Sequence, residues 1–126
     1  LSQLSRDTDI VFELLELGVI IADAELRLKR FTKLCGQVLE LEERDIGRHL
    51  RSVGARPDFA DPAALAAEAV RTGLPQEASG AFRNGDLHIR VTPYEVGAAD
   101  SVRGVIVTLS GSTMMASARQ TRRVEP

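Results

Sequence analysis

The sequence predicts an α+β domain in which a five-stranded antiparallel sheet gathers its helices on one face and a further helix leads into the first strand. Three stretches carry that expectation. Residues 18–31, GVIIADAELRLKRF, hold two short apolar runs joined by a polar turn; residues 32–73 hold helical spacing; residues 76–109 hold three runs that read as sequential strands.

Composition sets the outer bounds. At 126 residues the chain fits one domain with a core that needs no disulfide or metal. Hydrophobic residues at 44% and charged residues at 27% describe a globular protein, and no apolar run approaches the roughly eighteen residues that would span a bilayer. No membrane segment is expected within these residues. A net charge of -2 leaves no basic footprint for nucleic acid. Cys35 is the single cysteine, so no internal disulfide can form, which suits a reducing, cytoplasmic setting. The chain begins at Leu1 without the pattern of a signal peptide and is expected to be part of a longer polypeptide. Its organisation is read as a flanking helix over residues 1–17, the domain over 18–111, and a linker to an output domain over 112–126.

The flanking helix is expected to start near residues 7–9, with Ile10, Val11, Leu14, Leu15 and Leu17 forming one apolar stripe. That stripe must pack on something. It can lie on its own domain or meet a second copy, since Leu4, Val11 and Leu14 match part of a heptad.

Val19, Ile20 and Ile21 form the first strand between Gly18 and Asp23, and Leu26 and Leu28 alternate with Arg27 and Lys29 in the second. Thr32 is expected to cap residues 33–40 through its hydroxyl, and Leu34, Val38 and Leu41, with Cys35 and Leu39 beside them, give that helix a face to cover the sheet. Asp45 is expected to cap a short helical turn that runs through Ile46 to Leu50. Gly54, Pro57 and Asp58 then forbid a long regular element, leaving Phe59 as an apolar anchor.

The next helix has the clearest limits in the chain. Asp61 stands at its N-cap, Pro62 at the first helical position and Gly73 at the left-handed stop. Leu65, Ala69 and Val70 are expected to face inward, and the alanines at 63, 64, 66, 67 and 69 let the helix approach a sheet or a ligand closely.

Residues 76–83 read as a weak strand, followed by Asn84-Gly85, the pair that a type I′ hairpin turn demands. Leu87, Ile89 and Val91 alternate with His88, Arg90 and Thr92 until Pro93 removes an amide and calls for an edge or bulge near Tyr94. Residues 102–109 are the most continuously apolar strand and belong at the sheet centre. Residues 112–126 are polar, with Arg119, Arg122 and Arg123 on a helix face, and are expected to project outward.

In order and spacing these stretches resemble a PAS domain, a sensory and interaction module of signal-transduction proteins. The resemblance rests on GVIIADAELRLKRFT, ERDIGRHL, VRTGLP, DLHIRVTPY and VRGVIVTL, and it covers residues 11–113. It is similar to the PAS domains of histidine kinases and chemotaxis methyltransferase fusions, and it implies strands in the order 2-1-5-4-3. The family often ends its last strand with Asp-Ile-Thr, where this chain has Gly111, Ser112 and Thr113. Only the threonine is kept, so Ser110 or Ser112 is left to act as a weaker cap at the exit.

The resemblance also bears on cofactors. Photosensory relatives carry their flavin-binding cysteine in a later helical turn than Cys35, and haem-binding relatives use a histidine in the long helix, where residues 61–73 have none. Covalent flavin and haem are both disfavoured, and no cofactor is expected. Cys35 reads as a packing residue and His88 as solvent-facing or interfacial. His49 and His88 share no metal-binding spacing, so no metal is expected. Glu40, Glu42, Glu43 and Asp45 read as a solvated charge run, and no catalytic constellation occurs.

A small-molecule pocket between sheet and helices would be lined on the helical side by Leu34, Val38, Ile46, Leu50, Phe59, Leu65 and Ala69. Ile89, Val91 and Val107 would line it from the sheet. Arg48, Arg90 and Tyr94 are candidates for the polar mouth. The same apolar residues equally describe a filled core, because periodicity does not distinguish the two.

The reading that follows is a non-enzymatic sensory and dimerisation module of a bacterial two-component protein such as a histidine kinase. It would form a homodimer through Leu4, Val11 and Leu14, sense a small molecule or partner, and pass the change through Ser110, Gly111, Ser112 and Thr113 to an output domain. The alternatives are a small α+β enzyme or ligand carrier using the same pocket, and a protein-interaction domain with a filled core.

Overall fold

The computed structural model describes residues 10–12, 14–97 and 102–122. Five strands form one antiparallel sheet: β1 (Gly18–Asp23), β2 (Leu28–Phe31), β3 (Gln76–Phe82), β4 (Gly85–Val96) and β5 (Val102–Ser110). Their order is β2-β1-β5-β4-β3, as the resemblance implies. Ile20 stands opposite Val107 and Ile21 opposite Ile106, which puts the first hairpin beside the most apolar strand.

Strand periodicity explains where the core sits. On β4 Leu87, Ile89 and Val91 are fully buried while His88 and Arg90 between them are not, and on β5 Val105, Val107 and Leu109 repeat the pattern. One face is therefore apolar. It is met by Leu34, Cys35 and Val38 of α1 (Lys33–Leu39), by Ala63, Ala66 and Ala69 of α2 (Pro62–Thr72), and by Met114 and Ala118 of α3 (Ser112–Arg122). Burying each large aliphatic side chain contributes roughly 1.5–3 kcal/mol, so this cluster dominates the stability.

Several local expectations change. Thr32 holds the N-cap position of α1, but its Oγ1 accepts the amide of Val19 at 3.1 Å and makes no cap hydrogen bond. With the Thr32 amide donating to the Val19 carbonyl at 2.9 Å, the side chain extends the β1–β2 ladder by one rung. Asp45 ends a 3₁₀ turn, Glu43–Asp45, and does not begin one: its Oδ2 accepts the Glu42 amide at 2.8 Å. Gly47, at φ 91, separates this from a second 3₁₀ turn at Leu50–Ser52.

Around α2 the expected limits hold. Asp61 Oδ1 accepts the Ala63 amide at 3.0 Å and Gly73 has φ 73. Ala63, Ala66 and Ala69 carry its buried face, whereas Leu65 and Val70 are only partly buried, because the small side chains bring the backbone close to the sheet.

The β3–β4 loop is one residue earlier than the Asn84-Gly85 pair suggests. Phe82 pairs with Gly85, so Arg83 and Asn84 make the turn, and Arg83 takes the positive φ of 59. Gly85 is needed for contact: a Cβ there would lie 2.6 Å from Ser112 Oγ. Pro93 sits in β4 two residues past Val91, the last partner of β3, so its missing amide faces an edge. Finally, α3 does not project outward. Met114 and Ala118 are fully buried, and Ser117 Oγ lies 3.3 Å from Gln37 Oε1 of α1.

The two edges of the sheet differ. Along β2, the Leu28 amide donates to the Arg48 carbonyl at 2.9 Å and the Gly47 amide donates to the Leu28 carbonyl at 2.8 Å, so residues 47–50 close that edge.

Candidate functional site

The chain leaves the sheet through residues 110–113, where two side-chain hydrogen bonds and a close backbone approach fix the junction. Ser112 Oγ accepts the Asp86 amide at 2.8 Å, and Thr113 Oγ1 donates to the Phe82 carbonyl at 2.7 Å. The first turn of α3 is thus fastened to both sides of the β3–β4 hairpin. Gly111, at φ 116, crosses so close to the Asp86 carbonyl that no Cβ fits. Ser112 does not cap its own helix, contrary to one expectation; its oxygen serves the neighbouring strand. Ser110 lies opposite His88 in the β4–β5 ladder.

The same hairpin tip also reaches α1. Arg83 Nε donates to the Val38 carbonyl at 3.0 Å, its Nη2 pairs with Glu40 Oε2 at 2.6 Å, and its guanidinium lies 5.2 Å from the Phe82 ring centroid. Arg83, Phe82 and Asp86 were not singled out from the sequence. Nothing local marks them, because their partners lie 26 to 45 positions away along the chain. A surface hollow of about 180 Å³ lies at this junction, bordered by Gln37, Val38, Arg83, Asn84, Thr113 and Ser117.

The ten apolar residues expected around a pocket do meet. Leu34, Val38, Leu50, Ala69, Ile89, Val91 and Val107 are buried in one cluster, with Ile46, Phe59 and Leu65 packed against it partly buried. Phe59 lies over β3, where a Cβ on Gly80 would come 2.5 Å from its ring. A narrow void of about 20 Å³ is bordered by Ile20, Leu39, Leu41, Leu50 and Val53, close to the volume one water occupies.

The three polar mouth candidates do not come together. Arg48 pairs with Asp45 at 3.2 Å beside β2, at the far edge from β4. Arg90, lying between the buried Ile89 and Val91, points to the opposite side of the sheet and pairs with Glu77 at 3.0 Å. Tyr94 borders a second surface hollow of about 180 Å³ with Val70, Gly73, Pro93 and the Arg103–Glu95 ion pair.

Cys35 is fully buried, and a Cβ on Gly18 would lie 2.5 Å from its Sγ and 2.7 Å from Met114 Cε. His49 Nδ1 accepts the Arg51 amide at 3.1 Å. His88 is half-buried on the face away from the helices, with Nδ1 at 2.5 Å from Ser79 Oγ and Nε2 at 2.8 Å from Glu77 Oε1. Among the described residues no three metal-ligating side chains cluster, and no helix is long and apolar enough to cross a membrane. On the solvent side of α2 the Arg71 guanidinium hydrogen-bonds Glu68, which lowers the Glu68 carboxyl and raises Arg71.

Of the proposed dimer residues, Leu4 lies outside the described residues. Val11 and Leu14 are 53% and 61% exposed, and Ile10 and Leu15 beside them are exposed as well. Among the described residues, none covers Ile10, Val11, Leu14 and Leu15, whereas Leu17 at the end of the stripe is partly buried.

The fold is similar to that of the PAS domain of the histidine kinase ThkA, with a TM-score of 0.61 and 22% identity over 73% of this chain and 95% of that one. It is also similar to the C-terminal domain of a protein from Streptococcus mutans, with a TM-score of 0.60 and 14% identity over 86% of this chain and 85% of that one. A domain of an HTR-like protein from Haloarcula marismortui gives a TM-score of 0.51 at 14% identity over 76% of this chain and 97% of that one. No curated protein matches the sequence. A PAS domain family model matches residues 8–111, which is most of the chain, so the chain belongs to the PAS domain family.

Proposed function

We propose that this domain is a non-enzymatic sensory and dimerisation module of a larger, cytoplasmic bacterial signal-transduction protein, and that its output leaves through α3. The observation that carries the reading is the double fastening of Ser112 and Thr113 to the β3–β4 hairpin, together with the burial of Met114. A displacement of that hairpin, or of α1 through Arg83, cannot leave α3 where it is. Two arrangements of the hairpin then become two arrangements of whatever follows α3. The exposed stripe of Ile10, Val11, Leu14 and Leu15 supports pairing of two copies next to the point where β1 begins.

Amide hydrogen exchange along α3 tests the relay. Ser112→Ala should speed exchange in the first turns of α3 and in the β3–β4 hairpin together. Faster exchange in one element without the other would remove the coupling. Native mass spectrometry tests the signal: a small molecule travelling with the chain supports a ligand sensor. The packing of Leu34, Val38, Leu50, Ala69, Ile89, Val91 and Val107 into one buried cluster favours a second reading, a protein-interaction domain with a filled core, in which the signal is a partner. Under that reading no small molecule travels with the chain.

A further inference from the structure

The sheet has one closed edge, at β2, and one open edge, at β3. The Asp86 amide donates to Ser112 Oγ and the Arg90 carbonyl accepts from Thr108 Oγ1, so at even-numbered residues of β4 the backbone hydrogen-bonding groups are directed toward β5 and α3. Their cross-strand partners on β3 are Ala81 for Asp86, Ser79 for His88 and Glu77 for Arg90. In an antiparallel ladder such pairs exchange no hydrogen bonds, so the amides and carbonyls of Glu77, Ser79 and Ala81 face away from β4. All three residues are exposed, and among the described residues no other element hydrogen-bonds those groups.

Natural sheets normally blunt such an edge with lysine, proline or a bulge. The β2 edge carries Lys29 and Arg30 and is covered by residues 47–50. The β3 edge has none of these devices. Residues 78–81 are Ala, Ser, Gly and Ala, and the one charge, Glu77, is held by His88 and Arg90 on the sheet face.

We propose that β3 pairs with β3 of a second copy, antiparallel about a two-fold axis at Ser79, joining two sheets into one. In that register Ser79 faces Ser79 of the second copy, and Glu77 faces Ala81, so no like charges oppose. Three outward residues symmetric about their middle one give reciprocal hydrogen bonds at every position. A foreign strand would gain specificity from pockets for its alternate side chains, and here Phe59 already covers Gly80. Self-pairing is what remains. This contact is separate from the N-terminal stripe and stands whether or not that stripe pairs.

The test follows the amides of Glu77, Ser79 and Ala81 by hydrogen exchange across a concentration series, in the native chain and in Val11→Glu/Leu14→Glu. Exchange at these three positions should slow as concentration rises in both proteins. Sedimentation of Ser79→Pro should raise the dissociation constant of this step about tenfold or more, because the central amide is lost at a position where an edge tolerates proline, while Ser79→Ala associates as the native chain does. Exchange independent of concentration overturns the proposal, whether the amides stay fast or are protected throughout as a bound foreign segment would leave them. If only Val11→Glu/Leu14→Glu changes association, the N-terminal reading survives and the edge does not.

Discussion

Thr113 Oγ1 donates to the Phe82 carbonyl at 2.7 Å, tying the first turn of α3 to a residue 31 positions earlier in the chain. Thr113 is itself buried, so the bond is shielded from water. Thr113→Val keeps the shape and removes the donor, and it should cost about 1–2 kcal/mol in urea unfolding. Thr113→Ser should recover most of it. Equal stability of all three proteins would remove the bond from the account.

Met114 and Met115 are sequence neighbours with opposite surroundings, at 0% and 36% exposure. Met114→Ala should destabilise by about 2–4 kcal/mol through the cavity it leaves. Met115→Ala should change stability by less than about 0.5 kcal/mol. Similar small effects at both sites would mean that α3 is not docked on the core.

Gly18 is the point where β1, Cys35 and Met114 crowd together. Gly18→Ala should cost about 1–3 kcal/mol by overpacking. Cys35→Ala alone should also destabilise, yet the double substitution should cost less than the sum, because the second change makes room for the first. Strict additivity in thermal unfolding would contradict that contact.

Thr32 serves β1, not α1, and the difference is measurable. Thr32→Val leaves the buried Val19 amide without its acceptor and should cost about 1–3 kcal/mol, whereas Thr32→Ser should be nearly neutral. Exchange of the Val19 amide should accelerate in Thr32→Val. If instead the first amides of α1 accelerate, the hydroxyl caps the helix after all.

The exposed Val11 and Leu14 give the dimer proposal its own outcome. Val11→Glu/Leu14→Glu should weaken association in sedimentation by about tenfold or more, with unchanged circular dichroism, since two apolar side chains lose their burial. No change in association would remove the N-terminal stripe from the interface.

The strands and their faces were legible from local pattern. Leu87, Ile89 and Val91 alternate with polar residues, and that alternation alone says which side is buried. Asp61, Pro62 and Gly73 set the limits of α2 because capping chemistry acts within a few residues. The Arg83–Asn84 turn was not legible. Asn84-Gly85 is the better local turn pair, but Gly85 is required where Ser112 presses on it, 27 positions later. The mouth residues scatter for a related reason: Arg48 and Arg90 each have a polar side chain beside apolar neighbours, and only the tertiary structure reveals that Arg48 lies in the segment alongside β2 while Arg90 lies on β4, on the face away from the helices.

By itself the sequence determined what depends on near neighbours: which segments are strands or helices, which face of each is apolar, and where capping residues stop them. The tertiary structure alone decided what the polar groups at the ends of those segments bond to. Thr32, Ser112 and Thr113 each bond a backbone group 13 to 31 positions away. The reason is that a buried backbone group must find a partner, and in a packed sheet the nearest partner in space is seldom the nearest in sequence.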